Sequence, residues 1–194
     1  MVWLSNSLWP GLVIWTLLYV SDYYLTIACA RLYRAGVQEK LAFEGSYEIT
    51  PYYQQDVDRL RCFSPRFVRA LLLTLVLLSL MWWLAKQLEI PGPYSFLLGM
   101  YILLELAIHQ RHLQNFFMFR AITKPDAVRG QIEYSRPFML RQSTVAMLTF
   151  AGLFAIVSLI TWSLFVLGGA VGCASVAFKH WRLARQYVRS EPTT

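Results

Sequence analysis

Charged side chains and recognisable catalytic motifs are both scarce in this chain of 194 residues. Asp, Glu, Lys and Arg make up 15% of the sequence, compared with about 25% in soluble domains. Hydrophobic residues make up 57%, and the mean hydropathy is +0.43. This composition is typical of a membrane protein, and the length suits one bundle without a separate soluble domain. The sequence contains no Walker A, GxSxG or HExxH motif, so it offers no ATPase core and neither of those hydrolase signatures.

Cysteine and histidine are also few. Cys29, Cys62 and Cys173 are far apart, and no CxxC or Cys/His cluster occurs, so neither a disulfide framework nor a zinc site is indicated. We expect these cysteines to be buried apolar residues or reduced thiols. Three histidines are too few for the histidine-rich di-iron hydroxylases. The sequence assigns no cofactor and favours a protein that is not an enzyme.

Long apolar stretches dominate what is present. A bilayer core is about 30 Å thick and needs about 20 apolar residues per helix. The last stretch, about 138–178, would be roughly 60 Å long as one helix. Two spans with a turn near Thr161-Trp162-Ser163 fit this stretch better than one span with a re-entrant or surface piece. We predict an all-α integral membrane bundle of about five transmembrane helices, with spans near 8–32, 65–88, 94–118, 140–161 and 163–180.

The basic residues are strongly asymmetric. All Lys and Arg residues except Lys86 fall at one side of the alternating spans, in or next to two loops (about 33–64 and 119–139) and the tail (181–194). The positive-inside rule makes this side cytoplasmic, with the N-terminus outside, in a plasma (inner) membrane. A four-helix chain would put the basic tail across the membrane from the basic loops. Contact with anionic lipid headgroups explains the net charge of +7 better than nucleic acid does, and the residues predicted to make it are Arg31, Arg34, Arg66, Arg69, Arg120, Arg136, Arg141, Lys179, Arg182 and Arg185.

Both loops show ordered patterns. Thr50-Pro51 resembles a helix start, and the spacing of Tyr53, Val57 and Leu60 predicts a short amphipathic helix on the cytoplasmic membrane surface. A solvated loop is the alternative. In the second loop, Lys124-Pro125-Asp126 is a possible start for a short helix that ends at Gly130. Three tryptophans are predicted to mark the membrane interface at the start of the first span: Trp3, Trp9 and Trp15.

A polar constellation within the spans is the main candidate site. Glu105, His109 and His112 follow helical spacing and share one face of the third long helix. Tyr19, Asp22 and Thr26 form a similar stripe on the first helix. Carboxylates at membrane depth are costly and must find partners within the protein. If the two helices pack together, Asp22 and Glu105 face one cavity and hold a proton or a cation.

Less specific interpretations of these residues stay open. Glu105 can pair with an arginine while the histidines lie near the helix end, and Asp22 can pair with Arg111. Metal or haem ligation by His109, His112 or His180 is a third possibility. Another small-residue pattern, Gly168, Gly169 and Gly172, predicts close helix packing. We expect that packing within the monomer rather than between subunits.

Three functions follow from these observations. The first is a small oligomeric transport- or channel-type protein that uses the acidic and histidine site. The second is an accessory or scaffold subunit of a larger membrane complex, for which the ordered loops and small-residue seam are the motivation. The third is a haem- or metal-binding redox subunit. The predicted partners are the bilayer, anionic headgroups, and either further copies of the chain or other membrane subunits.

Overall fold

The computed structural model describes residues 7–124 and 127–190, and five long helices account for most of them. The long helices are α1 (Leu8–Arg34), α3 (Pro65–Gln87), α4 (Gly92–Ile122), α5 (Arg136–Thr161) and α6 (Leu164–Ser190). The short elements are a 3-10 turn (Val37–Glu39), helix α2 (Pro51–Asp58), and strands β1 (Leu41–Phe43) and β2 (Ile132–Tyr134).

All five long helices are long and apolar enough to cross a membrane. The predicted set of five is therefore confirmed, including two helices in the ambiguous last stretch. The turn between α5 and α6 is tight because Trp162 adopts a left-handed conformation with φ 51°, and Ser158 Oγ donates to the Ser163 carbonyl at 3.1 Å. Trp162 is 88% exposed at this turn.

Local sequence signals explain where the helices begin. Ser64 precedes Pro65, the first residue of α3, and its side chain accepts a hydrogen bond from the Phe67 amide at 3.2 Å. Ser135 accepts from the Phe138 amide at 3.4 Å at the start of α5. Proline at the first helical position costs little because its missing N–H has no partner there anyway. The short helix predicted after Thr50 is present as α2.

The bundle has two distinct ends. At the end that we call the basic end lie the first loop (residues 35–64), the second loop (residues 123–135) and the last turns of α6. Lys40 Nζ of the first loop donates to the Ile122 carbonyl at the end of α4, at 3.3 Å. At the opposite end, the turn before Gly92 meets the start of α6, because a Cβ on Gly92 would lie 2.9 Å from the Leu164 side chain.

The two loops at the basic end are joined by a parallel pair of three-residue strands, with Leu41 opposite Ile132 and Phe43 opposite Tyr134. We had predicted a short helix in the second loop. Pro125 and Asp126 lie outside the described residues, and residues 127–131 are bends and irregular backbone rather than a helix. Strands this short carry little periodic signal, and their pairing depends on residues about ninety positions apart.

Close packing of α4 on α6 organises the half of the bundle near the opposite end. A Cβ on Gly168 would overlap the Phe96 carbonyl, and one on Gly172 would lie 2.9 Å from the Met100 carbonyl. Gly99 contributes from the other helix, because its Cβ would overlap the Phe165 carbonyl. The structure thus uses the glycine seam within the monomer, and Gly169 packs in the same seam.

A dry apolar cluster lies beside this seam, built on Trp15, Leu78, Tyr94, Leu98, Ile102, Phe165 and Val166. Trp15 had been predicted at the membrane interface, but it is 4% exposed and belongs to this cluster. Its face of α1 turns towards α4, so the ring packs inside the bundle. Trp9 is exposed, and Trp3 lies outside the described residues.

Candidate functional site

A cavity of about 440 Å³ occupies the half of the bundle near the basic end. Its walls come from α1, α4, α5 and α6, and residues of the first loop cover it. Its polar lining is unusually rich for the inside of an apolar bundle. The main ionisable or hydroxyl-bearing residues of the lining are Tyr19, Asp22, Thr26, Glu48, Tyr53, Glu105, Arg111, His112, Lys179 and His180.

Asp22 and His112 form the closest charged contact in the cavity. Asp22 Oδ1 lies 2.9 Å from His112 Nδ1, and Thr26 Oγ1 lies 2.9 Å from the same nitrogen. The Thr26 hydroxyl also lies within hydrogen-bond distance (3.0 Å) of the Asp22 carbonyl. The helical spacing of Asp22 and Thr26 puts both side chains on the face of α1 that meets α4. The sequence stripes on the two helices therefore meet in the structure.

His109 joins this group more loosely. Its Nδ1 is 3.8 Å from Asp22 Oδ1, which is an ion-pair distance but too long for a hydrogen bond. The nitrogen is buried and has no hydrogen-bond partner among the described residues. His109 does not line the cavity. The His109 imidazole can balance the negative charge of Asp22 only in its protonated form.

Glu105 is the deepest acid of the site. It is 6% exposed, it lines the cavity, and it makes no hydrogen bond or ion pair with any residue that the structure describes. The arginine partner that the sequence allowed for Glu105 is therefore not found among these residues. Likewise, Asp22 contacts His112 rather than Arg111. An unpartnered carboxyl group inside an apolar bundle is costly, which makes Glu105 a candidate for a functional role.

A second polar chain crosses from α4 to α6. Arg111 Nη1 donates to Ser143 Oγ at 2.8 Å, and Ser143 Oγ is 2.8 Å from His180 Nδ1. Ser143 is fully buried and His180 is 5% exposed. Sequence reasoning missed this chain, because the partners of Ser143 are 32 and 37 residues away.

Aromatic side chains form another part of the wall. The hydroxyl groups of Tyr19 and Tyr53 are 2.6 Å apart, and Tyr19 stacks on Phe67 with ring centroids 4.9 Å apart. Burial raises the pKa of Tyr53, and burial raises the pKa of Tyr47 well above the usual phenol value. Both phenols of the first loop are therefore neutral at physiological pH and remain hydrogen-bond donors.

Arg136 fastens the cover of the cavity. Its guanidinium donates to the carbonyls of Ser46, Glu48 and Ile49 at 3.0, 3.1 and 3.0 Å. Arg136 had been predicted to contact lipid headgroups, but the structure leaves it 6% exposed. The first loop folds back over the start of α5, so the guanidinium is enclosed by backbone carbonyls instead of reaching the surface.

Most of the other basic residues predicted at headgroups are exposed at the basic end. Several also touch the protein: Arg31 donates to Cys62 Sγ at 3.0 Å, Arg34 donates to the Asp58 carbonyl, and Arg69 donates to the Tyr52 hydroxyl at 3.1 Å. Arg66 is partly exposed and bonds the Tyr52 carbonyl. The remaining exposed members of the set are Arg120, Arg141, Lys179, Arg182 and Arg185.

Metal coordination finds no support in the described ranges 7–124 and 127–190, where no group of three or more His, Cys, Asp and Glu side chains is placed to hold a metal ion. All three cysteines are free, with Cys29 and Cys173 buried and Cys62 exposed.

Comparison with protein families, curated proteins and solved structures finds no match to this chain. Five apolar helices fit a multi-pass membrane protein, and any more specific function has to be argued from the cavity.

Proposed function

We propose that the protein is a multi-pass membrane protein of the transport type, in which protons or small charged solutes bind at Asp22 and Glu105. One observation carries this proposal: acids from two different helices line the same cavity, and one of them, Glu105, has no partner among the described residues. A scaffold protein gains nothing from a carboxyl group that is buried and unpaired. A site that takes up a proton or a cation needs such a group.

The outer surfaces of the helices support the membrane part of the proposal. Large apolar residues such as Leu73, Val76, Leu159 and Ile160 are more than 60% exposed, which is costly in water and favourable in lipid. By the charge asymmetry, the basic end faces the cytoplasm and the exposed arginines contact anionic headgroups.

Cys62 offers a direct test of this orientation, because it is an exposed thiol in the first loop, whereas Cys29 and Cys173 are buried. We expect a membrane-impermeant maleimide to label Cys62 only after cells or vesicles are opened. Cys62→Ser is the control for residual labelling of the buried thiols. Labelling of Cys62 from outside intact cells would reverse the orientation.

The cavity is closed towards the opposite end. Ile102 and Leu98 follow Glu105 in that direction along α4, and both belong to the dry apolar cluster. Two polar atoms of this cluster, Trp15 Nε1 and Tyr94 Oη, are buried without a hydrogen-bond partner among the described residues. Each such atom costs about 1–3 kcal/mol. Transport by this chain therefore requires a second conformation that opens the apolar half, and water reaching these two atoms would favour it.

Proton flux into proteoliposomes tests the proposal. We expect the wild-type protein to acidify vesicles containing a trapped pH-sensitive dye when a pH gradient is applied under a clamped membrane potential. Glu105→Gln and Asp22→Asn should each reduce the flux at least roughly tenfold, because a carboxyl group that exchanges a proton is removed. Glu133→Gln, which changes an exposed carboxyl group of β2, is the matched control. Equal flux in all four proteins would remove the proposed role of the two acids.

An accessory subunit is the second candidate, and α3 is the observation that favours it. The most apolar window of α3 is 11% buried, the smallest share among the five helices, so a broad apolar face is free for lipid or for another membrane protein. The cavity itself is built by one chain and needs no second copy. Purification in mild detergent distinguishes the candidates. Co-purification of a stoichiometric partner would favour a subunit role, and a monodisperse monomer would count against both a complex and a homo-oligomer.

A further inference from the structure

We infer that the cavity binds a small zwitterion, with the ammonium group of the ligand at Glu105 and its acidic group at Arg111. This inference rests on the proposed function and names the class of solute that the same site takes. Its basis is a carboxyl group and a guanidinium group that line one cavity without pairing with each other.

The Glu105 side chain forms the cationic subsite. Glu105 is 6% exposed, and its carboxyl group has no hydrogen-bond or ion-pair partner among the described residues. The aromatic wall of Tyr19, Tyr53 and Phe67 belongs to the same cavity. A carboxylate beside electron-rich rings is the combination that recognises ammonium groups. Asp22 is less available, because His112 already occupies its Oδ1 at 2.9 Å.

Arg111 forms the anionic subsite. It lines the cavity, and the partner of its side chain among the described residues is the neutral hydroxyl of Ser143. A guanidinium has five N–H donors, and its planar fork matches a carboxylate or a phosphate. Ser143 and His180 hold Arg111 in place from behind through the 2.8 Å contacts of the second polar chain. Lys179 adds a second cation to the lining.

The separation of the two subsites favours a ligand that carries two charges. Glu105 and Arg111 are six residues apart on α4, which is an axial distance of about 9 Å. A cavity of about 440 Å³ is within the range that accommodates small-molecule ligands. A simple cation would leave Arg111 without an anionic partner, and a simple anion would leave Glu105 without a cationic one. A zwitterion whose charges are several bonds apart satisfies both groups at once.

A ladder of ω-amino acids measures this geometry. Binding of glycine, 4-aminobutanoate and 6-aminohexanoate to the purified full-length protein in detergent is followed by tryptophan fluorescence, with hexylamine and hexanoate as singly charged probes. We expect one of the longer zwitterions to bind at least roughly tenfold more tightly than either singly charged probe, since each charged hydrogen bond contributes on the order of a tenfold change in affinity.

Charge-removing variants assign the two ends. Glu105→Gln should weaken zwitterion and hexylamine binding roughly tenfold or more and leave hexanoate binding unchanged. Arg111→Gln should weaken zwitterion and hexanoate binding by a similar factor and leave hexylamine binding unchanged. Glu105→Asp keeps the carboxyl group and shortens the side chain, so binding should shift towards the longer members of the series. This variant also covers the case in which Glu105→Gln fails to fold. The matched controls are Glu133→Gln and Arg141→Gln, both at exposed positions.

A lipid headgroup and a free solute have the same chemistry, and nanodiscs separate them. If phosphatidylethanolamine nanodiscs compete with 6-aminohexanoate and phosphatidylglycerol nanodiscs do not, the source is a lipid headgroup. If neither competes, the source is a soluble zwitterion. The inference is overturned if hexylamine binds as tightly as every zwitterion, or if Arg111→Gln changes no affinity.

The binding experiment is independent of the transport experiment. Binding in detergent needs neither a gradient nor a second conformation. Zwitterion binding without proton flux would therefore preserve this inference and remove the transport proposal. Proton flux that depends on Glu105, without zwitterion binding, would do the opposite.

Discussion

The two halves of the bundle are built from the same five helices but differ in packing and polarity. Near the opposite end, glycines bring α4 and α6 into backbone contact, and the space between helices is filled by rings and leucines. Near the basic end, the same helices line a cavity with acids, bases and phenols on its walls. The tight half fixes the helix positions. The open half can then keep costly polar groups at defined distances without collapsing around them.

Among the variants that test this difference between the two halves, we expect a substitution of Arg136 to have the largest effect on stability. Arg136→Met removes the donor for three loop carbonyls and leaves them partly desolvated, so we expect a loss of about 3–5 kcal/mol of stability and a loosened cover over the cavity. Thermal unfolding in detergent and hydrogen exchange of residues 44–50 measure the two effects. Arg141→Gln changes an exposed arginine of the same helix and should cost less than about 0.5 kcal/mol. Equal effects of both variants would contradict the role of Arg136 as the fastener.

The glycine seam gives the next effect. A Cβ at Gly99 would overlap the Phe165 carbonyl, so Gly99→Ala must push α4 and α6 apart and should cost about 3 kcal/mol in thermal unfolding. Gly152 on α5 is the matched helical glycine, because a Cβ there meets nothing within 4 Å. Gly152→Ala should be neutral or stabilising by about 0.5–1 kcal/mol through helix propensity. Similar losses at the two positions would mean that the seam is not close-packed.

Two capping serines at the basic end show how burial changes the stability contribution of a helix cap. Ser64 is fully buried, accepts from the Phe67 amide, and donates to Asp56 Oδ2 at 2.6 Å. Ser64→Ala should therefore cost about 2 kcal/mol, because it also leaves a buried carboxylate oxygen without its donor. The cap at Ser135 is exposed and longer, at 3.4 Å, so Ser135→Ala should cost about 0.5 kcal/mol. Chemical unfolding in mild detergent mixtures can resolve this difference, and a reversed order would refute the contribution of Asp56.

The smallest effect appears only at alkaline pH. Burial raises the pKa of Tyr47 above the unfolded value of 10.0, so the folded protein holds this phenol proton more tightly than the unfolded chain does. Its contribution is complete below pH 10 and decreases as the pH rises towards the folded pKa. The melting temperature of the wild-type protein should therefore fall more steeply above pH 10 than that of Tyr47→Phe. Below pH 9 the two proteins should differ little, since the hydrogen bond from Asn115 is long, at 3.4 Å. Parallel curves over the whole pH range would contradict this.

Features with a local physical cause were predictable from the sequence. Helix length and apolarity predicted the five long helices, and Ser64-Pro65 predicted the start of α3. The helical spacing of Asp22 and Thr26 on one helix, and of Glu105 and His112 on another, put the right side chains on facing surfaces once the helices packed together. What these residues do in the cavity stays a prediction.

Features that depend on the path of a loop were not predictable. Asp56 does not belong to the apolar pattern of the predicted surface helix, but it is 2% exposed, because Ser64 and Arg61 fold against it. Arg136 resembled an ordinary flanking arginine until the first loop covered it. Ser143 stands between Gln142 and Thr144 in the sequence, and nothing in that local pattern indicates that its partners are Arg111 and His180. Each case requires contacts between distant residues, which periodicity does not report.

The pairing of β1 with β2 sets the order in which the chain can mature. Leu41 finds its partner at Ile132, and the loop that holds β1 is fastened by Arg136. During synthesis, α1, α3 and α4 must therefore leave the ribosome before β1 can pair with β2. The cavity wall is also incomplete until α6 is synthesised, because α6 supplies His180. A nascent chain that ends before residue 132 therefore lacks both the partner strand of β1 and the arginine that fastens the first loop.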